Sequence, residues 1–225
     1  SSAEQMNLFF QTKKRKILPR TKNQKNYFQL LNSKDIVFAY GPAGTGKTFL
    51  AVAKAVASLQ QGLVKKIILS RPAVEAGEKL GFLPGDLKEK VDPFLRPIYD
   101  ALYEMMPYDQ VEKKLTNNII EIAPIAFMRG RTLEDCFIIL DEAQNTTRIQ
   151  MKMFLTRLGK NSKMVVVGDN TQIDLISKND SGLIDASKKL KYIEDIGFIE
   201  LDQNDVIRHE VVRKIINAYD EKNRN

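Results

Sequence analysis

Short, almost wholly apolar runs recur along this chain, separated by segments in which apolar residues fall at helical spacing. Ile36-Val37-Phe38-Ala39-Tyr40 reads as a buried strand that ends at a glycine. Lys47–Gln61 follows, with Leu50, Val52, Ala53, Val56 and Leu59 on one side and Gly62 as a stop, which predicts a helix. Further strands are expected at Lys66–Ser70, Asn118–Ile122, Phe137–Leu140, Met164–Val167 and Ile196–Leu201. Helices are expected at Asp86–Met106 (interrupted at Pro93 and Pro97), at Thr147–Leu158, and at Val206–Tyr219 with Asp205 as its N-cap. Strands without polar alternation, each followed by a helix, imply a mostly parallel sheet flanked by helices on both faces. The right-handed crossover rule makes this a doubly wound α/β fold, whose ligands sit beyond the carboxyl ends of the strands.

The chemistry falls at that edge. Gly41-Pro42-Ala43-Gly44-Thr45-Gly46-Lys47-Thr48 matches the phosphate-loop pattern in full and lies between a strand and a helix. Its glycines allow backbone N–H groups to turn inward around a β-phosphate, and the helix N-terminus adds positive potential. Lys47 is placed to bridge the β- and γ-phosphates, and Thr48 to offer its hydroxyl to Mg²⁺. ATP, or less favourably another nucleoside triphosphate, is the ligand expected. The run Phe137–Leu140 ends in Asp141-Glu142. An acidic pair capping a strand is an ordinary structural feature by itself. After a full phosphate loop it reads as a metal carboxylate, Asp141, and a general base, Glu142. Gly168-Asp169-Asn170-Thr171-Gln172 follows the next strand, and there Gln172 is a candidate γ-phosphate sensor, the alternative being a helix-capping turn.

Arginines are needed to neutralise the phosphoryl-transfer transition state. Arg71, Arg129, Arg131 and Arg208 are the candidates for a finger or for nucleic-acid contact, and a surface ion pair is the commoner fate of each. One nucleotide-binding core without a second lobe points to a neighbouring copy as the donor, hence to a ring or filament. Arg71–Gly85 holds three glycines and two prolines in 15 residues, which marks a functional or mobile loop. Lys79, Lys88 and Lys90 could there touch nucleic acid, against a solvated loop as the plain alternative. Gln24 and Tyr27 could meet an adenine, but nothing in the residues alone singles them out. His209 is the sole histidine, which leaves histidine metal clusters and Ser-His-Asp triads little to build on.

Composition adds one asymmetry. Of 35 Lys and Arg against 28 Asp and Glu, residues 1–26 hold seven bases and one acid, leaving a body of 28 bases and 27 acids. A basic arm over 1–26 ahead of one domain at 27–225 is therefore expected, suited to a polyanion or simply to solubility. No apolar run approaches the roughly 18–20 residues of a membrane span, and the start has no signal-peptide pattern. The single Cys136 is expected to be a small buried residue, in keeping with a reducing, cytoplasmic setting.

The motifs together resemble the PhoH-like ATPases. The likeness rests on Asn23-Gln24, Gly41–Thr48, Arg71–Gly85, Phe127–Thr132, Ile138–Thr147, Gly168–Gln172 and Ser181–Leu183, and runs from about Thr21 to about Tyr219. It implies a RecA-like core akin to superfamily 1 helicases, with Gln24 on adenine, Lys47 and Thr48 on phosphate and metal, Asp141 and Glu142 as the acidic pair, and Gln172 at the γ-phosphate. Arg208 resembles the late arginine of the family's Val-Ile-Arg-His segment. The family also implies a homo-oligomer, a hexameric ring, and RNA or single-stranded DNA as partner. A compact form of this kind occurs in phage genomes as well as bacteria, so the host cytoplasm is one expected setting. The functional expectation is a Mg²⁺-dependent ATPase that moves along or remodels RNA or single-stranded DNA. Its runner-up is a nucleotide-gated switch with slow hydrolysis, and a small-molecule kinase is a third class.

Overall fold

The computed structural model describes residues 9–72, 87–172 and 178–222, apart from the side chains of 87–94, 172 and 221–222. Eight strands are present among them: β1 (Phe10–Gln11), β2 (Lys16–Ile17), β3 (Ile36–Tyr40), β4 (Lys66–Arg71), β5 (Ile120–Pro124), β6 (Cys136–Leu140), β7 (Lys163–Gly168) and β8 (Ile196–Glu200). The helices are α1 (Lys22–Ser33), α2 (Lys47–Gln60), α3 (Leu87–Met105), α4 (Tyr108–Thr116), α5 (Arg148–Leu155), α6 (Gly182–Leu190) and α7 (Glu210–Lys222). Strands β3–β8 form one parallel sheet in the order β5-β4-β6-β7-β3-β8, while β1 and β2 make a small antiparallel hairpin. This is the doubly wound α/β fold that the apolar runs imply.

Alternation along the strands divides the core in two. Val37, Ala39, Ile67, Leu69, Phe137, Ile139, Val165 and Val167 belong to the layer shared with α1, α2 and α3. Their neighbours Phe38, Ile68, Ile138, Leu140, Met164 and Val166 pack with Met151 and Phe154 of α5 and Leu183 and Ala186 of α6. Both faces are covered, which is why these strands carry no polar alternation.

Four local expectations need correction. Residues 87–105 form one unbroken helix despite Pro93 and Pro97. A proline removes one N–H, but the stripe Leu95, Ile98, Ala101, Leu102 and Met105 is buried and holds the helix on the core. The third strand of the chain's body starts at Ile120 rather than Asn118, because Asn118 takes a left-handed φ of 57° to leave α4. The last helix starts at Glu210, four residues late, since Val206 is buried and the Ile207 N–H bonds to the Gly44 carbonyl at 3.3 Å. Asp205 is thus not the N-cap of α7 but belongs to the capping box of the 3₁₀ turn Gln203–Asp205. Its carboxylate accepts from Thr21 Oγ1, from Asn23 Nδ2 at 2.9 Å and from the Asp202 N–H at 2.8 Å.

That buried carboxylate ties the start of α1 to the turn after β8. Burial works to raise its pKa, but the bonds from Thr21, Asn23 and Asp202 prevail and hold it below the usual carboxylate value. Its stabilising contribution is thus complete above the ordinary carboxylate range and is lost as pH falls through the depressed value. Asp205→Ala removes the charged acceptor of three part-buried hydrogen bonds and is expected to cost about 1–3 kcal/mol in urea unfolding at neutral pH. An unchanged midpoint and slope would remove Asp205 as the tie.

The basic segment also has structure. Phe10 and Ile17 are buried, Phe10 stacks on Phe28 with centroids 4.1 Å apart, and α1 runs through residue 26. Charge changes at residue 26, but packing does not. Cys136 is buried, as its apolar surroundings suggest, and burial raises its thiol pKa.

Candidate functional site

The turn between β3 and α2 is a cradle built by glycines. Gly41, Gly44 and Gly46 have φ of 152°, 84° and 85°. At Gly41 a Cβ would also stand 2.6 Å from the Leu201 carbonyl oxygen, so the loop is fitted tightly beneath β8's end. Thr45 is wholly buried and its hydroxyl donates to the Pro42 carbonyl at 3.0 Å. Lys47 Nζ donates to the same carbonyl at 3.0 Å, which folds the ammonium over the cradle. Burial lowers the Lys47 pKa, while Asp141, Asp169 and Glu142 work to raise it.

The acidic strand end meets this cradle. Thr48 Oγ1 donates to Asp141 Oδ1 at 3.1 Å, joining the first turn of α2 to the end of β6. Asp141 Oδ2 accepts from Arg71 Nε at 3.1 Å and Nη2 at 3.0 Å, and Arg71 Nη2 lies 3.5 Å from Glu142 Oε1. Glu142 sits in the left-handed region, φ 55° and ψ 40°, a conformation unusual for a side chain with a Cβ and found where surroundings impose it. Gln144 links the two loops: its Nε2 donates to Glu142 Oε2, and its Oε1 accepts the Asp169 N–H at 3.0 Å. Asp169 itself accepts from the Thr171 N–H at 2.9 Å and hydroxyl at 2.6 Å, so it shapes its own loop.

Hard oxygen donors are what Mg²⁺ takes, typically one or two carboxylates with waters and substrate phosphates completing six ligands. Thr48 Oγ1 and Asp141 Oδ1 fit that set. Ser70, whose carbonyl accepts the Asp141 N–H at 2.9 Å, has a buried hydroxyl without a hydrogen-bond partner among the described residues. No group of three or more His, Cys, Asp or Glu that could cage an ion occurs among the described residues.

Other candidates sort by geometry. Gln24 is buried; its Nε2 donates to the Thr45 carbonyl at 3.1 Å and its Oε1 accepts the Arg20 N–H at 2.8 Å. It borders a cleft of about 690 Å³ beside Gly44 and Gly46, walled also by Leu18, Phe49 and Ile207. Tyr27 cannot stack on a base: it is fully buried, and its hydroxyl donates to the Lys47 carbonyl at 2.7 Å, bracing α2. Arg71 is turned inward onto Asp141 and Glu142. Arg131 forms a fork on Glu121 at 3.1 and 2.9 Å. Arg129 is exposed. Arg208 is half-buried, one residue past the Ile207 contact with Gly44. His209 accepts the Val211 N–H on Nδ1 at 3.0 Å and so starts α7. Lys79 and the side chains of Lys88, Lys90 and Gln172 lie outside the described residues. Gln144 and the Val206–Ile207 backbone are the parts of the site that the sequence reading passed over. The signal for Gln144 was a polar residue two places after Glu142, just where the chain turns from β6 towards α5.

Comparison with known proteins gives the relatives of this chain. A family model described as PhoH-like protein matches residues 16–220. A PhoH-like protein of Bacillus subtilis (strain 168) is 60% identical over 211 residues, covering 94% of this chain and 66% of its own length. One from Mycobacterium tuberculosis (strain ATCC 25618 / H37Rv) is 60% identical, covering 90% of this chain and 58% of its own length. Protein PhoH of Escherichia coli (strain K12) is 44% identical, with 90% and 58% covered. The chain thus spans about three fifths of the length of these curated relatives. Among solved structures, the Pyrococcus furiosus Hef helicase domain aligns with a TM-score of 0.45 at 15% identity, covering 84% of this chain and 39% of that one.

Proposed function

The chain belongs to the PhoH-like protein family, and from that premise we propose that it is a Mg²⁺-dependent ATPase, acting in an oligomeric ring that couples hydrolysis to movement along or remodelling of RNA or single-stranded DNA. The observation that carries the reading is the 3.1 Å bond from Thr48 to Asp141. It brings a glycine-built phosphate cradle and an acidic strand end within one ion's reach of each other. Thr48 and Asp141 would hold Mg²⁺, which would supply neutralisation of the phosphate charge. The residues do the remainder. Backbone N–H groups of the cradle and the N-terminus of α2 bind the β-phosphate, and Lys47 moves from the Pro42 carbonyl to the β- and γ-oxygens. Glu142, held by Gln144, accepts the proton of the attacking water. Gln172 at the γ-phosphate, Gln24 at the base and Arg208 at the transition-state charge complete the assignment.

A slow, nucleotide-gated switch is the second reading. Arg71 favours it, because the guanidinium must leave Asp141 before the acids can serve the nucleotide. Phosphate release separates the two. The ATPase reading predicts Mg²⁺-dependent turnover without any added acceptor, raised several-fold by single-stranded RNA, and a hexamer in sedimentation with ATP. Turnover that no nucleic acid alters leaves the switch, and silence in the absence of an acceptor removes both.

A further inference from the structure

The sheet's outer strand β5 ends in a rigid turn that presents two residues outward. Ile125 and Met128 are fully buried and pin the short 3₁₀ turn Ile125–Met128, while Phe127 between them is 58% exposed. Gly130 then turns the chain with a φ of 77°, and a Cβ there would meet nothing within 4 Å. That reversal sends the two arginines beside it in opposite directions. Arg131 goes inward, fixed by both carboxylate oxygens of Glu121 and by Met128 Sδ at 3.7 Å. Arg129 goes outward and makes no ion pair among the described residues. Nearby acid does not compete for it: Glu121 is already shared by Arg131 and Lys66, at 2.9 and 3.2 Å.

Phe127, held between two buried residues, and Arg129 beside it place an exposed flat ring and an exposed cation side by side. That pairing suits a flexible polyanion with flat bases. The turn also lies at the carboxyl edge of the sheet, since Pro124 pairs in register with Arg71, whose side chain grips Asp141. We propose that Phe127 and Arg129 form a contact for single-stranded nucleic acid, in which Phe127 stacks on a base and Arg129 binds a phosphate. This inference rests on the nucleic-acid half of the proposed function and gives it a place. Register through β4 gives that contact a short route to the acidic pair.

Anisotropy of a fluorescein-labelled oligo(U) of about 15 nucleotides and of its oligo(dT) counterpart, titrated at several salt concentrations, tests it. Phe127→Ala is expected to weaken binding roughly ten-fold without changing the salt slope, and Phe127→Tyr to restore it. Arg129→Gln is expected to weaken binding and to reduce the salt slope by about one. Thermal melts of the variants check the fold. Preference for one of the two oligonucleotides identifies RNA or DNA as the source, and loss of affinity for it in the variants supports the contact. Variants with the affinity and slope of the wild type overturn this contact alone. Failure of the wild type to bind either oligonucleotide overturns the contact together with the nucleic-acid half of the function, and leaves basal ATP turnover to be judged on its own.

Discussion

Glu142→Gln is expected to lower ATP turnover by about 10²–10⁴-fold while Mg²⁺-ATP still binds. The substitution keeps the shape of the side chain, so the Gln144 contact and the unusual backbone at position 142 can persist. Only the ability to take a proton is removed. Neither Thr48 nor Asp141 nor Lys47 depends on Glu142 for its hydrogen bond, so the cradle stays formed. Phosphate release under single-turnover conditions, with a fluorescent nucleotide to measure binding, checks both halves. Turnover above a tenth of the wild-type rate would assign the base elsewhere. Joint loss of binding and turnover would make Glu142 a structural residue.

Lys47→Ala has the second-largest expected effect, a loss of roughly 10²–10³-fold in turnover with weakened nucleotide binding. The site holds Asp141, Glu142 and Asp169 within electrostatic reach of Lys47. A triphosphate entering the cradle without the ammonium faces those carboxylates with less compensation. Burial already disfavours the charged lysine, and the surrounding acids work against that, so the cation is placed where incoming negative charge benefits most. Its single hydrogen bond to the Pro42 carbonyl suggests little damage to the fold when it goes. Lys47→Arg should not rescue, because a planar fork does not replace a compact point charge between two phosphates. Turnover and melting temperature measured together decide the matter: unchanged turnover, or a variant that fails to fold, would contradict this role.

The sheet and the phosphate cradle were legible in the sequence because they rest on strong local signals. Buried strands such as Ile36–Tyr40 need apolar residues on both faces, and the glycines at 41, 44 and 46 answer to backbone conformations that few other residues adopt. Helix α1 was not legible. Its core face is only Tyr27, Phe28 and Leu31 with Gln24, too few apolar positions to stand out among lysines and asparagines. The late start of α7 depended on Val206 being needed against Gly44, a contact between residues far apart in the chain. Roles of arginines were open for the same reason. Arg71, Arg129 and Arg131 look alike in sequence, and only the positions of Asp141 and Glu121 sort them into two engaged groups and one outward one. Gln144 went unseen because its work is to join two loops that meet only in the folded sheet.

The proposed ATPase activity requires a triphosphate and its metal to lodge between α2 and β6. Calorimetry with a non-hydrolysable ATP analogue measures that directly, in Mg²⁺ and in EDTA, for the wild type and for Asp141→Asn. One-to-one uptake in Mg²⁺ is predicted, about ten-fold or more weaker in EDTA and in the variant. No heat of binding, or one affinity across all of these conditions, would contradict the account.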